Sequence, residues 1–349
     1  MNFDLTEDRQ MLQDSLRRFL KDKYGIEHRN EVAYTAPFHD PAKWTELTEL
    51  GALFALASEE AGGMGGTGFD ISVVFEELGR ALNPEPVLGA LMASRLLAAA
   101  GADQEALLSG TKRYAVGLGE LDAPYDLSQM TTTATDGKLS GRKSIVYGGQ
   151  AADAFLIAAK SGDGLAIYEV AAADASVTGY ALMDGAGAAE VVLENTPGTL
   201  ILDNAEAAIA DAVNAGIVGL CSEAVGAMDV LHAMTVDYLK QRKQFGRPIG
   251  TFQVLQHRAV DMLTEIEQSR SIVIKAAAEL GGPDAARYAS MAKNLIGRAG
   301  RLVAEEAIQM HGGIAMTWEY PGSHYGKRLI MIDAQLGDTD YHLSQVMAA

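Results

Sequence analysis

The chain of 349 residues has a single cysteine, Cys221, so no internal disulfide can form and no disulfide framework holds the fold. Cys221 lies inside an apolar helical run and reads as a small buried hydrophobe rather than a catalytic thiol. Basic residues are scarce: 28 Lys and Arg stand against 46 Asp and Glu, a formal net charge of −18. That balance repels nucleic acid and anionic lipid, so neither is expected as a partner. Aromatics are only 7% of the chain, while Ala, Leu, Gly and Met are plentiful, which favours helices. No uncharged apolar run reaches the ~18 residues that suggest a membrane helix. The start, Met1 to Asp8, is acidic and lacks the basic opening and apolar stretch of a signal peptide. A cytoplasmic protein is therefore expected. The seven histidines show no paired spacing and no Cys–His pattern, so no metal site is expected.

What is present falls into three stretches, expected as a helical domain over 1–112, a β domain over 113–203 and a helical bundle over 204–349. In the first, Thr6 is a plausible N-cap before Met11, Leu12, Leu16, Phe19 and Leu20 at helical spacing. Helices are also expected at 41–50, 69–82, 88–100 and 104–108. The glycine-rich loop 59–68 follows no strand and ends without Lys-Ser/Thr, so it reads as a flexible turn rather than a phosphate cradle. In the second stretch, short β-leaning runs at 114–118, 138–139, 144–147, 154–159, 165–170, 189–193 and 199–202 alternate with turn signals such as Asp136-Gly137 and Gly162-Asp163-Gly164. They imply a small antiparallel sheet or barrel. In the third, Ile217, Cys221, Ala224, Met228, Leu231, Thr235 and Tyr238 mark one face of a long helix. Two further long helices at 254–280 and 284–310 complete an antiparallel bundle.

Three motifs carry chemistry. Arg242-Lys243-Gln244-Phe245-Gly246-Arg247-Pro248-Ile249-Gly250, then Phe252-Gln253, lies in a turn between bundle helices. Gln309-Met310-His311-Gly312-Gly313 closes the third long helix, with Glu319-Tyr320-Pro321 downstream. Glu59 to Gly66 and Glu76 to Ala81 form the third. Together, in this order and with the α–β–α layout, they resemble the acyl-CoA dehydrogenase family over essentially the whole chain. Ala224 to Met228 and Ser140 to Ser144 are most similar to small subunits of two-subunit members, such as that of pimeloyl-CoA dehydrogenase.

The resemblance implies an N-terminal helical domain, a middle antiparallel β-barrel and a C-terminal four-helix bundle. It implies FAD as cofactor, an acyl-CoA substrate desaturated between its α and β carbons, and an electron-transfer flavoprotein as acceptor. It implies a homo-oligomer or a heterotetramer with a second such subunit. Arg242 would reach the FAD pyrophosphate of a neighbouring subunit, since a guanidinium fork matches phosphate oxygens. Gln244, Phe245, Ile249 and Gln253 would surround the adenosine half, and Gln309, Gly312 and Gly313 would lie beside the cofactor.

The chain departs from the family at its chemistry. The usual Glu-Gly base position counts to Leu336-Gly337, and the alternative base position counts to Gly216. Neither titrates. Two nearby acids remain as candidate bases, Asp338 and Glu223, the latter two helical turns beyond Gly216. The family's flavin-facing Thr-Glu-Pro and Gly-Ser-Asp segment reads Gly117 to Pro124, and its Trp-Ile-Thr reads Ile145-Val146-Tyr147. The face that would hold this chain's own flavin ring is altered, whereas the contacts toward a neighbour are kept. A subunit that shares a partner's flavin without a base of its own is therefore the alternative to a self-sufficient enzyme. A DNA-binding relative is opposed by the net charge, and a flavin monooxygenase is the remaining alternative.

Overall fold

The computed structural model describes residues 5–162 and 164–348. Met1 to Asp4 of the acidic start and Asp163 of the expected turn lie outside them. The helical first part comprises α1 (Glu7–Lys23), α2 (Ile26–Ala33), α3 (Pro41–Glu49), α4 (Gly68–Ala81), α5 (Val87–Ala99) and α6 (Glu105–Leu108). Thr6 caps α1 as expected, its hydroxyl accepting from the Arg9 amide. Asp40 caps α3, and Thr67 with Asp70 forms a reciprocal capping box on α4. The sequence pattern does not reveal α2, because its buried residues are Arg29 and Ala33 rather than an apolar stripe. The glycine loop before α4 is not flexible in the sense expected. The amides of Gly63, Met64, Gly65 and Gly66 donate to the carbonyls of Ser58, Phe54, Ala57 and Ala55. Glycine is needed there for close approach, since a Cβ on Gly63 would stand 2.2 Å from the Ala57 carbonyl oxygen.

The middle part is one sheet of β1 (Tyr114–Gly117), β2 (Thr133–Thr135), β3 (Lys138–Tyr147), β4 (Ala154–Ser161), β5 (Gly164–Ala171), β6 (Ser176–Ala181), β7 (Gly187–Pro197) and β8 (Thr199–Leu202). The spatial order is β6-β7-β3-β2-β4-β5-β8, with β1 on β4. The antiparallel expectation is corrected at two places: β1 runs parallel to β4, and β2 makes one parallel bridge to it. The long connection from β1 to β4 permits this, where a tight hairpin would not. The two short runs at 138–139 and 144–147 are one strand, β3, whose alternation is broken by irregular register after Leu139 and after Lys143. β6 escapes the pattern because most of its residues are exposed.

The last part holds α7 (Glu206–Gln241), a hairpin of β9 (Lys243–Gln244) and β10 (Arg247–Pro248), α8 (Gln253–Glu279), α9 (Ala285–His311), α10 (Pro321–Ala334) and α11 (Thr339–Ala348). Helices α7 to α10 form the bundle, and α11 lies on α9. By length and composition α7 could cross a membrane, but 72% of its most apolar window is buried inside the fold. It crosses α4 at glycine contacts: a Cβ on Gly226 would sit 2.0 Å from the Glu76 carbonyl, and one on Gly79 equally close to that of Glu223. One apolar core runs from the first helices through α7 into the bundle and onto the sheet, and a second lies within the sheet. Thus α7 is the axis along which the site residues are arrayed.

Candidate functional site

A cavity of about 860 Å³ lies where the N-terminal half of α7 meets α5, the loop after β1, the end of β3 and the α10–α11 connection. Leu88, Met92, Ile209, Val213, Ile217 and Leu336 give it an apolar wall. The altered middle segments line it too, through Gly119, Glu120, Pro124, Tyr125, Ile145 and Tyr147.

Both base positions implied by the resemblance converge here. Leu336 lines the cavity, and a Cβ on Gly216 would stand 2.8 Å from its Cδ1 and 3.3 Å from the Met92 sulfur. The leucine side chain thus fills the space in front of Gly216. Its backbone is held in a left-handed turn, with φ of 54° at Leu336 and 105° at Gly337. Buried His342 stabilises that turn. Its Nε2–H donates to the Leu336 carbonyl at 2.9 Å, which leaves Nδ1 to accept from Ser290 at 3.1 Å. Burial brings the His342 pKa down to about 4 against the pull of that carbonyl, so the ring is neutral. Buried Lys293 adds bonds from its ammonium to the Gly337 carbonyl at 2.5 Å and the Asp333 carbonyl at 2.8 Å. Burial also pushes the Cys221 thiol up to about 12, which keeps it inert.

The geometry speaks against both candidate bases. The Asp338 carboxylate accepts from the Tyr341 amide at 2.8 Å, capping α11. The cavity wall passes from Leu336 to Tyr341 without it. Glu223 is buried and accepts two bonds from Arg328, at 2.6 and 2.7 Å. Arg328 also donates to Asp184 at 2.8 Å. Two turns bring Glu223 to the face of Gly216 but about 10 Å farther along the axis, where α10 and not the cavity lies opposite.

Glu120, in the altered segment, has a different task. It accepts from the amides and hydroxyls of Thr131 and Thr132 and from the Lys143 ammonium at 2.9 Å. Burial alone would raise its pKa, but those hydroxyls and the lysine charge bring it down to about 2. Burial lowers the pKa of fully buried Lys143 against the pull of Glu120.

The motif residues lie at the other end of the bundle. Arg242 ends α7, its carbonyl accepts from the Ile249 amide at 2.8 Å, and among the described residues its exposed guanidinium has no partner. Phe245 and Gly246, both with positive φ, make the tight turn of the β9–β10 hairpin, and the Phe245 ring is 90% exposed. Arg247 stacks over Phe252 at 4.2 Å, and Phe245 meets the same ring edge-on. Gln244 and Gln253 are exposed and Ile249 is half-buried. Gln309 is exposed, and a Cβ on Gly312 or Gly313 would meet open space. His311 stacks on Tyr238 at 4.7 Å and accepts from the Tyr320 hydroxyl at 2.6 Å. That stack joins the last turns of α7 and α9, so the hairpin and the glycine pair share one end. From Ile217 at the cavity to Arg242 the helix rises about 37 Å. Within one chain, therefore, the cavity and the motif residues are not one site.

Residues 6–105 match the description "Acyl-CoA dehydrogenase, N-terminal domain" and residues 207–349 match "Acyl-CoA dehydrogenase, C-terminal domain". The chain belongs to the acyl-CoA dehydrogenase family. Family members are FAD-dependent oxidoreductases acting on CH–CH groups. Among curated relatives, acyl-CoA dehydrogenase IpdE2 of Mycobacterium tuberculosis is 33% identical over 92% of this chain and 91% of its own length. Among solved structures, the Tcur3481-Tcur3483 steroid ACAD G363A variant is 28% identical with a TM-score of 0.89, covering 98% of this chain and 97% of that one. The ChsE4-ChsE5 complex from Mycobacterium tuberculosis shares the fold, with a TM-score of 0.91 at 24% identity over 100% of this chain and 98% of that one. Both structures pair two components by their names, and the first is named a steroid ACAD.

Two clusters in the cavity wall and its scaffold gave no sequence signal as clusters. Arg328, Asp184 and Glu223 come together from three distant segments, as do His342, Ser290 and Leu336. Only the position of Arg328 on the inner face of a helix with buried Tyr325, Leu329 and Ile332 hints that it is buried.

Proposed function

We propose that this chain is the flavin-sharing subunit of a two-subunit acyl-CoA dehydrogenase. It lends Arg242, Gln244, Phe245, Ile249 and Gln253, with Gln309, Gly312 and Gly313, to FAD seated mainly on a partner subunit. The partner supplies the base that removes the α-proton of an acyl-CoA. The observation that carries this reading is the loss of both bases: Leu336 and Gly216 occupy the two base positions, and the leucine side chain fills the space in front of the glycine. The exposed cationic hairpin stands at the other end of α7.

The fit to FAD is good at the hairpin. Among the described residues Arg242 is an unpaired guanidinium at the foot of the hairpin, Lys243 and Arg247 add exposed positive charge, and Phe245 offers a flat apolar face. The open space over Gly312 and Gly313 lets a cofactor approach the backbone. When bound, the flavin supplies the acceptor for the β-hydrogen as hydride. This chain's share is to neutralise the pyrophosphate charge and to hold the adenosine half. An electron-transfer flavoprotein then takes the electrons from the complex.

The fit is poor at the chain's own cavity. Asp338 and Glu223 are committed to a helix cap and an ion pair and are not proposed as bases. The limits 1–112, 113–203 and 204–349 are proposed for the N-terminal helical domain, the middle β domain and the C-terminal helical bundle. The test is to purify the chain alone and with its partner and to measure desaturation of acyl-CoA substrates. Activity confined to the pair, and lost with Arg242→Ala in this chain, supports the reading. Turnover by the isolated chain sinks it.

A further inference from the structure

The residues proposed to meet a partner's FAD come from the ends of two helices. Arg242 and the β9–β10 hairpin follow α7, and Gly312 and Gly313 follow α9. The hairpin does not pack onto the glycine pair, since a Cβ on Gly312 or Gly313 would meet open space. What joins the two ends is a set of rings. The buried His311 imidazole packs on Tyr238 of α7, with ring centroids 4.7 Å apart, and on Tyr320, with centroids 4.9 Å apart. Tyr238 lies one turn before Arg242, whose amide donates to the Tyr238 carbonyl at 2.8 Å. His311 directly precedes Gly312. Tyr320 stands at the start of α10, just before Pro321. Three helix ends thus meet at one imidazole.

Hydrogen bonds fix how that imidazole stands. Its Nδ1 is 2.7 Å from the Ala307 carbonyl, which can only accept, so Nδ1 carries the hydrogen. Nε2 then holds the lone pair, and the Tyr320 hydroxyl donates to it at 2.6 Å. Burial lowers the His311 pKa, which keeps Nε2 unprotonated at neutral pH. Gly322 makes room for the phenol, since a Cβ there would stand 2.9 Å from the Tyr320 Cε1. Directly after His311 the chain leaves α9 through Gly312 at φ 68° and ψ −145°, a conformation essentially confined to glycine. A turn this sharp passes the setting of His311 on to the backbone of both glycines. The rings are not needed to close α9, because the Gly312 amide already donates to the Ile308 carbonyl. They place one helix end against another, as packed and hydrogen-bonded neighbours hold a binding group to its geometry.

We propose that Tyr238, His311 and Tyr320 are positioning residues for the shared cofactor. The imidazole held between two phenol rings fixes the spacing of Arg242 from Gly312 and Gly313, and with it the affinity of the complex for FAD. The proposal rests on the reading that these contacts serve FAD seated on the partner subunit. The three rings act through Arg242 and the glycine backbone, which meet the cofactor.

The test titrates FAD into the complex of this chain with its partner, after its flavin has been removed, beside thermal melts of the isolated chain. Tyr320→Phe keeps the ring and removes the hydroxyl. FAD affinity is expected to fall about fivefold as the site loses its preorganised geometry. The isolated chain should melt no more than about 3 °C lower. His311→Phe removes the acceptor and should match Tyr320→Phe. The two changes together should be no worse than either alone, because one bond is lost once. His311→Gln keeps an acceptor and should bind FAD more tightly than His311→Phe. In an Arg242→Ala complex titrated to high FAD, Tyr320→Phe should cost less than about twofold more, because one of the two groups it aligns is gone. A merely structural bond would lower the melt and leave FAD affinity within about twofold of the parent, and that result overturns the proposal. So does the full loss repeated in the Arg242→Ala complex. If Arg242→Ala loses FAD while Tyr320→Phe keeps it, only this inference falls. Stoichiometric FAD on the isolated chain sinks the shared-flavin reading, and this inference with it.

Discussion

Leu336 and Gly216 occupy the two places where a relative would carry its base, and they contact one another as a side chain and the hole that receives it. Introducing acid there is not a neutral repair. Leu336→Glu puts a carboxylate against Met92 and Ile217, and it should cost about 1–3 kcal/mol at neutral pH. Burial raises the pKa of such a group above its unfolded value. The deficit should therefore shrink as pH falls from the raised folded value toward the unfolded carboxylate value and be gone below it, which denaturation midpoints at two pH values would show. His342 acts in the opposite sense. Its folded pKa of about 4 lies below the ordinary imidazole value, so the unfolded chain binds the proton first as pH falls. Stability is present above about pH 6.5 and is lost down to about pH 4, on the order of 3 kcal/mol from this residue. His342→Gln should flatten that slope in urea titrations. It should not erase it, because burial also lowers the pKa of His311 and His324. Arg328→Ala leaves Glu223 and Asp184 buried and unpaired and should cost about 3–5 kcal/mol. At this scale the motif residues were legible through the family resemblance that Arg242, Phe245 and Gly312 help to carry. The partners of Glu223 were not: Arg328 lies 105 residues away, and one sequence carries no sign of that pairing.

Among the elements, the hairpin and α7 bear different loads. The β9–β10 hairpin is exposed and, among the described residues, Arg242 at its foot has no side-chain partner, so Arg242→Ala should leave stability within about 0.5 kcal/mol. The same change should strip FAD from the complex, and Arg242→Lys should not restore it, because an ammonium lacks the fork that matches pyrophosphate. Flavin content after gel filtration reads both outcomes. Helix α7 tolerates far less. Gly226→Ala places a methyl 2.0 Å from the Glu76 carbonyl, so α4 and α7 must separate, at a cost of about 1–3 kcal/mol read in thermal melts. The long helices were legible because their apolar stripes repeat over many turns. The small elements were not. The fit of α2 depends on one buried arginine, β6 is mostly exposed, and the register irregularities in β3 break the alternation by which strands are recognised.

Over the whole molecule, charge and distance set the account. Three exposed cations, Arg242, Lys243 and Arg247, cluster at one hairpin of an acidic chain, about 37 Å along α7 from the cavity. The three-part order was legible from periodicity, and the family from three motifs in register. That the motif hairpin and the cavity stand apart in one chain was not legible in the sequence; it takes the length of α7 to make it geometry. The most direct measurement is flavin per chain, by visible absorbance, on the isolated chain and on its complex with the partner subunit. The account predicts a colourless isolated chain and a yellow complex that loses its colour with Arg242→Ala. Flavin approaching one FAD per isolated chain would contradict it.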